Sequence, residues 1–338
     1  MTCICLLCTA GVYAENTESD FSKGPLLGKN MLIPFLIHYN FPSLPAKSGE
    51  RFDLQYHVSF YYIQDTNYRA TDLSGYERKE RRYDRQNITR DYEGCVAELG
   101  FAYNFSKQLQ TGIDMRVFAY YSGFLDPVVE AFHGFYSFTN GGREYFLRNQ
   151  IYINIPNGNG ITMFLDKPAF SFGDIDLWSK WTFLENKRVS LAGLTAFKLP
   201  TGSLSKLSGS GYPDAALGLL LDFRTAFFLT LYTQAGVVLP FNGKSYPMFN
   251  GLLGVEFHPW EKLSLNLQMN IKTSPISDDN TGFRQYSLPQ TNILAGMVLR
   301  HKNIKLHFYF EEDTFTHQGT DITLNVMFSH TINLKNRK

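Results

Sequence analysis

The sequence has no apolar run long enough for a transmembrane helix. No stretch of eighteen apolar residues follows the N-terminus, whereas a membrane-spanning helix needs about 20. The mean hydropathy of -0.20 is also too polar for a helical membrane protein. The formal net charge is only +1 in 338 residues, so nothing indicates a nucleic-acid or strongly acidic partner.

Cysteine is scarce beyond the first residues. Three of the four cysteines lie within the first eight residues, in an apolar stretch that leads to Val12-Tyr13-Ala14. This pattern predicts a secretory signal peptide over residues 1–14, cut after Ala14; a lipoprotein anchored at Cys8 is the alternative. Removal of the peptide leaves Cys95 alone, which excludes an intrachain disulfide.

Recognisable catalytic and cofactor motifs are missing as well. The histidines show no metal-ligand spacing, and Gly209-Ser210-Gly211 is better explained as a loop than as a phosphate-binding turn. His57 and Ser59 share one strand face, as in outer-membrane phospholipases, but Phe60-Tyr61 stands where Asn-Gly is expected. We therefore expect no cofactor, no metal and no enzyme activity.

The sequence does contain strict alternation of apolar and polar residues. In Leu263–Lys272 every odd position is apolar and every even position is polar, which is typical of a β-strand with one apolar and one wet face. Leu263, Leu265, Leu267, Met269 and Ile271 are expected to touch lipid, and Ser264, Asn266, Gln268 and Asn270 to line a lumen.

Similar segments recur along most of the chain, and most have the length of a tilted membrane-crossing strand. The 29 Phe and 20 Tyr suit aromatic girdles at both membrane interfaces. The candidate strands are 52–62, 93–105, 108–121, 144–155, 161–167, 172–184, 188–199, 213–223, 226–238, 248–258, 262–273, 289–300, 303–312 and 321–334.

Loop lengths alternate along this series. Links after even-numbered candidates are short, including 156–160, whereas most links after odd-numbered candidates are long. This asymmetry is typical of outer-membrane barrels, whose short turns face the periplasm. The sequence predicts a closed antiparallel transmembrane β-barrel of about 12–14 strands over residues 51–338, with 12 favoured if a segment near 161–184 does not span. A soluble all-β periplasmic protein is the alternative.

Two regions fall outside the strand pattern. The proline-rich segment 15–50 is expected to form either an extra strand or a segment in the lumen or mouth. Loop 63–92 carries a run of charge at 77–85, which predicts a solvated external loop or a contact site for anionic glycans or lipid headgroups.

Charges of both signs fall on the polar, inward-facing positions. Two interpretations remain open: a salt-bridged interior that props or plugs the barrel, and a lining that selects solutes. The candidate lumen residues are Asp114, Arg116, Arg148, Asp174, Asp176, Lys180, Lys198, Asp222, Glu256, Lys272, His307 and Glu311.

Several motifs in residues 125–224 occur in a recognisable order. They are Glu130-Ala131-Phe132-His133-Gly134-Phe135 with Asn140-Gly141-Gly142-Arg143, Gly173-Asp174-Ile175-Asp176-Leu177, and Phe197-Lys198-Leu199-Pro200-Thr201-Gly202-Ser203 with Ser208-Gly209-Ser210-Gly211. This order resembles a bacterial outer-membrane barrel family of unknown function. The Gly-Asp and Lys-Leu-Pro-Thr-Gly elements also resemble barrels linked to phenol degradation, which are described as transporters.

The resemblance implies a closed barrel and the passage of small, apolar or aromatic molecules. Glu130, His133 and Arg143 fall in a long aromatic-rich connection on the expected outer side. They either form a constriction across the mouth or anchor that loop by ion pairing.

The function expected first is therefore a passive outer-membrane channel or transporter for small solutes. A structural or surface-interaction barrel with a plugged lumen is the second candidate, and an outer-membrane hydrolase is the third. The expected partners are outer-membrane lipid, a small-molecule solute and the barrel-assembly machinery; the oligomeric state stays open.

Overall fold

The computed structural model describes residues 21–33, 35–69, 88–137, 148–155, 162–276, 287–313, 320 and 322–336. Fourteen strands and one α-helix account for most of these residues. They are β1 (Asp53–Arg69), β2 (Ile88–Asn104), β3 (Leu109–Tyr121), α1 (Asp126–Tyr136), β4 (Tyr152–Ile155), β5 (Met163–Leu165), β6 (Ala169–Glu185), β7 (Val189–Leu199), β8 (Asp214–Ala226), β9 (Leu229–Pro240), β10 (Met248–Phe257), β11 (Leu263–Lys272), β12 (Gln290–His301), β13 (Ile304–Glu312) and β14 (Ile322–Asn333).

Twelve of the strands form a closed antiparallel barrel. Each pairs with its neighbours in chain order, except that β3 pairs with β6, and β1 closes the wall against both β2 and β14. At the closing seam the Asn333 amide donates to Asp53 Oδ1 at 2.8 Å, while the backbone N–H of Glu50 donates to Asp53 Oδ2 at 2.9 Å. The prediction of a closed antiparallel barrel is confirmed.

The two-residue period of the sequence becomes the two faces of the wall. In β11, Leu267 is 57% exposed on the outside whereas Ser264 and Gln268 are buried inside. The same holds for other strands, in which outward Phe60, Leu219 and Leu324 are exposed. Apolar side chains therefore cover the outside of the barrel, and most polar side chains of the wall point inward, beside buried apolar ones such as Leu220 and Leu294.

Connections sort by length between the two ends of the barrel. Residues 105–108, 186–188, 227–228, 258–262 and 302–303 make short links at one end, here called the short-turn end. The opposite, long-loop end carries 122–168, 200–213 and 273–289. The Asp53 end of β1 and the Asn333 end of β14 both lie at the short-turn end.

Two candidate strands do not span the barrel. In segments 144–155 and 161–167 the described residues, 148–155 and 162–167, form only the short strands β4 and β5, and β4 pairs with Thr89–Asp91 of β2 beyond the end of β3. The link 156–160, expected to be a short periplasmic turn, lies outside the described residues. The residues of β4 and β5 have the apolar composition of strands because they are buried, but both strands are too short to cross a bilayer.

Loop 63–92 is shorter than expected from the sequence. Strand β1 continues to Arg69 and β2 starts at Ile88, each with 17 residues. The charged run 77–85 and the predicted signal peptide 1–14 lie outside the described residues. Among the described residues, no helix has the length and apolarity needed to cross a membrane.

Candidate functional site

The barrel lumen is occupied by residues 21–50, here called the inner segment. Near its start, Lys23 Nζ donates to the Trp260 carbonyl at the short-turn end, at 3.0 Å. Its middle reaches the long-loop end, where the Tyr39 N–H donates to Asp214 Oδ2 at 2.7 Å. It then returns, and Glu50 pairs with Lys107 of the β2–β3 turn at 2.9 Å. The segment thus runs through the lumen from the short-turn end to the long-loop end and back. Its first pass is here called the rising arm and its second pass the falling arm.

The base of the rising arm is held by Glu256 of β10. Its carboxylate accepts from Ser22 Oγ at 2.7 Å, from the Lys23 N–H at 2.8 Å and from Tyr232 Oη at 2.5 Å. Glu256 is fully buried, and a buried carboxylate requires such donors. Glu256 therefore anchors the start of the inner segment to β10.

At mid-height the inner segment places Lys29 between two strands. Lys29 Nζ donates to Glu98 Oε2 of β2 at 2.5 Å and to Asp114 Oδ2 of β3 at 3.2 Å. All three side chains are buried. In a site shielded from water, charges of opposite sign stabilise each other far more than on a surface.

His57 completes this cluster from β1. Its Nε2 lies 3.3 Å from Glu98 Oε1 and 4.0 Å from Asp114 Oδ1. The three donor atoms lie within 4.8 Å of one another, which is a spacing that a metal ion can bridge. The Lys29 ammonium already bonds both carboxylates, so the cation at this position is a side chain of the inner segment.

Near the long-loop end, two carboxylates share Lys198 of β7. Lys198 Nζ lies 2.5 Å from Asp174 Oδ2 and 3.5 Å from Asp214 Oδ2. Asp214 also lies 3.3 Å from His38 Nδ1 of the inner segment. This network joins the wall to the turn of the inner segment.

The sequence motifs around 173 and 200 build the same network. The Gly202 N–H donates to Asp174 Oδ1 at 2.7 Å, and Thr201 Oγ1 donates to the Gly173 carbonyl at 2.9 Å. A Cβ at Gly209 would lie 2.4 Å from Asp174 Oδ1, so only glycine lets that loop approach. The motifs therefore fix the β7–β8 loop over the lumen.

Arg116 and Lys272 hold the top of the inner segment from opposite sides. Arg116 donates to Asp176 Oδ2 at 3.1 Å and to the Leu36 carbonyl at 3.2 Å. Lys272 Nζ donates to Asn40 Oδ1 at 3.2 Å and lies 5.5 Å from the centre of the Phe35 ring.

The falling arm is held by Asp222 of β8 and Lys180 of β6. Asp222 accepts from the Ala46 N–H at 3.0 Å and from the Lys47 N–H at 3.1 Å. Lys180 Nζ donates to the Pro45 carbonyl at 2.8 Å and to the Lys47 carbonyl at 2.9 Å. These bonds satisfy backbone groups that no strand partner would reach.

Apolar packing supplements these polar bonds. Phe41 lies against Gly218 of β8 and Gly236 of β9, which face each other in register; a Cβ on either glycine would lie 2.7 Å or less from the ring. Near the long-loop end, Ile33 and Ile37 belong to one buried cluster with Ile153 of β4 and Met163 of β5.

Nine of the predicted lumen residues are therefore buried on the inner face, and most bond the inner segment or each other. They are Asp114, Arg116, Asp174, Asp176, Lys180, Lys198, Asp222, Glu256 and Lys272. His307 and Glu311 are buried as well, whereas Arg148 lies exposed in the connection before β4. A role of these residues in solute selection stays a prediction.

The outer connection shows an ion pair. Glu130 of α1 bonds Arg148, and this hydrogen bond and charge raise the pKa of the guanidinium. His133 lies within α1, and Arg143 lies outside the described residues. The lumen is occupied by the inner segment, and the constriction expected of Glu130, His133 and Arg143 stays a prediction.

Sequence reasoning missed the inner segment's own functional side chains. Lys29, His38 and Phe41 follow no strand or helix period, so no local pattern marks them. Their one signal is the spacing of Pro25, Pro34, Pro42 and Pro45, which disfavours a long regular strand there.

The sequence itself matches a known family. The model of a protein family of unknown function, DUF3187, matches residues 82–332. The chain belongs to this family. The matched region runs from the β1–β2 connection to the end of the barrel and excludes the inner segment. A comparison with curated proteins found no match.

A solved outer-membrane channel shares the fold. The COG4313 outer membrane channel from Pseudomonas putida F1 superposes with a TM-score of 0.56 at 10% identity, over 85% of this chain and 98% of that chain. The toluene transporter TodX from Pseudomonas putida gives 0.41 at 9% identity, over 85% and 90%. The KdgM porin gives 0.43 at 6% identity, over 82% and 98%.

Proposed function

We propose that this protein is an outer-membrane channel for small solutes, closed in this state by its inner segment. The observation that carries the proposal is that a non-strand segment, rather than wall side chains alone, fills the lumen of a complete barrel. The apolar outer face would contact lipid, with the short-turn end in the periplasm, as is usual for such barrels.

The attachments of the inner segment to the wall would let it move out of the lumen. Both of its arms open to the short-turn end, so it can withdraw without breaking any pairing between strands. Its attachments through Glu256, Lys29 and Asp222 are hydrogen bonds and ion pairs. Such bonds can be exchanged for bonds to water as the segment moves.

A structural or surface-interaction barrel is the second candidate. The observation that favours it is the same occupied lumen, because a permanently filled barrel would pass nothing. The two candidates differ in one property, which is whether the inner segment leaves the lumen.

A reversible cross-link tests this difference. A Cβ at Gly28 would lie 3.5 Å from Leu294 Cγ of β12, which is within reach of a disulfide. We expect Gly28→Cys/Leu294→Cys, made in a Cys95→Ser background, to block solute entry into liposomes when oxidised. Reduction should restore the permeability of the Cys95→Ser protein.

The single variants Gly28→Cys and Leu294→Cys are matched controls and should not respond to oxidant. If the oxidised double variant is as permeable as the reduced one, passage does not need the segment to move. If the unmodified, folded barrel passes no small solute at all, the channel proposal is wrong and the structural role stands.

A further inference from the structure

A chamber remains inside the lumen between the two arms of the inner segment and strands β13, β14, β1, β2, β3 and β6. Its volume is about 150 Å³. Cavities of roughly this size hold a benzene-sized ring. The chamber lies in the half of the lumen nearer the short-turn end, between Lys23–Lys29 and Pro42–Gly49.

Lysines outnumber carboxylates among the residues that line this chamber, where Glu98 and Asp114 are the two acids. Lys29 bonds both carboxylates, and Lys47 pairs with Glu185 at 3.7 Å. The buried Lys180 ammonium donates to two backbone carbonyls, of Pro45 and Lys47, which carry no formal charge. The five lysines are Lys23, Lys29, Lys47, Lys180 and Lys305.

Trp178 adds an unused hydrogen-bond donor to the same lining. Its indole N–H is buried and has no hydrogen-bond partner among the described residues. The indole packs on Gly112 of β3, where a Cβ would lie 2.3 Å from the ring. Lys180 lies two residues further on the same face of β6. A buried donor without a partner costs free energy unless a ligand or water fills the position.

We propose that this chamber binds a small organic carboxylate, whose anionic group sits between Lys180 and the Trp178 N–H. The carbon skeleton would pack on apolar groups of the same lining, including Leu27, Leu44 and Met327. The proposal rests on the proposed channel function, because it names the class of solute that the lumen accepts.

Binding to the purified, detergent-solubilised protein tests the proposal without requiring passage. The probes are benzoate, its neutral analogue benzamide and the cation benzylamine, titrated calorimetrically at one pH. We expect benzoate to bind at least about tenfold more tightly than the other two, because a hydrogen bond to a charged group is stronger than one between neutral groups. Equal binding of benzoate and benzamide would overturn the proposal.

Two tryptophan variants locate the site. Trp178→Phe removes the indole N–H but keeps an aromatic ring, and should weaken benzoate binding about tenfold. Trp181→Phe on the same strand is the matched control, because Trp181 is exposed on the outer face; it should change binding less than twofold. Equal effects of the two variants would place benzoate elsewhere and refute the site.

The outcomes separate this inference from the channel proposal. A barrel that binds benzoate but passes no solute keeps the site and loses the channel. A barrel that passes solutes with no preference for benzoate binding keeps the channel and loses the site. If Trp178→Phe fails to fold, the comparison of benzoate with benzamide on the unmodified protein still decides the solute class.

Discussion

The Lys29 ammonium lies 2.5 Å from the Glu98 carboxylate, and this pair joins the inner segment to the barrel wall at mid-height. Each side chain is only 2% exposed. Because the same ammonium also bonds Asp114, one residue of a segment without a strand or an α-helix bonds two carboxylates of the wall.

Replacing Lys29 should open the lumen. Lys29→Met leaves Glu98 and Asp114 buried without their main cation, a change that typically costs about 3–5 kcal/mol. We expect a lower thermal stability in detergent and higher conductance in planar bilayers. The control is Lys107→Met, which removes an exposed pair with Glu50 and should leave thermal stability almost unchanged, because solvent screens exposed pairs. Equal conductance of the two variants would show that the pair does not hold the segment.

The contact of Phe41 with Gly218 should be sensitive to one added methyl group. A Cβ at residue 218 would lie 2.7 Å from the Phe41 ring, and overpacking of this kind costs about 1–3 kcal/mol. Gly218→Ala should therefore lower stability, and its cost should fall by more than half in a Phe41→Ala background. Thermal unfolding of the four proteins in the cycle measures this.

Gly251→Ala is the control for that cycle. At residue 251 the nearest heavy atom to a new Cβ is the Gln234 carbonyl oxygen, at 4.0 Å. It should fold with unchanged or slightly higher stability, because alanine restricts the unfolded chain. A loss as large as that of Gly218→Ala would contradict the role of Phe41.

Removal of the Asp174 carboxylate should release the β7–β8 loop. Asp174→Ala takes away the acceptor of the Gly202 N–H and the nearest partner of the buried Lys198. We expect faster cleavage by trypsin after Lys206, which is exposed in that loop. Asp166→Ala, at an exposed position, should be cleaved at the unmodified rate. Equal cleavage of both variants would show that Asp174 does not anchor the loop.

The strands were predictable because their information is local. In Leu263–Lys272 each side chain faces the side that its polarity dictates, and the alternation needs no knowledge of neighbours. The end of β1 at Arg69 was not predictable, since Gln64–Asn67 is a run of four polar residues that interrupts the alternation. Segments 144–155 and 161–167 were wrongly predicted to span the membrane. Residues that are buried at the long-loop end have the same apolar composition as a buried strand.

The inner segment was only partly predictable, for a different physical reason. Its prolines disfavour a long regular strand, but its path is set by bonds to residues as far as 282 positions away, such as the bond from Lys305 to the Lys23 carbonyl. The inward charges of the wall could be named one by one. Their partners in the inner segment follow no period, so sequence alone left open whether Asp114 or Glu256 faces water or polypeptide.

The outer ion pair should matter little for permeation. Glu130→Gln removes the charge that bonds Arg148, whose side chain is 50% exposed, and solvent screens exposed pairs so that they contribute little to stability. We expect unchanged solute flux into liposomes, with Lys29→Met as the positive control. Altered flux in Glu130→Gln would support a constriction at the mouth.

Asp53 bonds both Asn333 of the last strand and the end of the inner segment at Glu50. The first and last strands of the barrel pair at this residue, where Asp53 lies opposite Asn333. Because the inner segment continues directly into β1, the step that closes the wall also carries its occupant to the lumen. We therefore expect the protein to reach the bilayer already sealed, so that its assembly does not make the envelope leak.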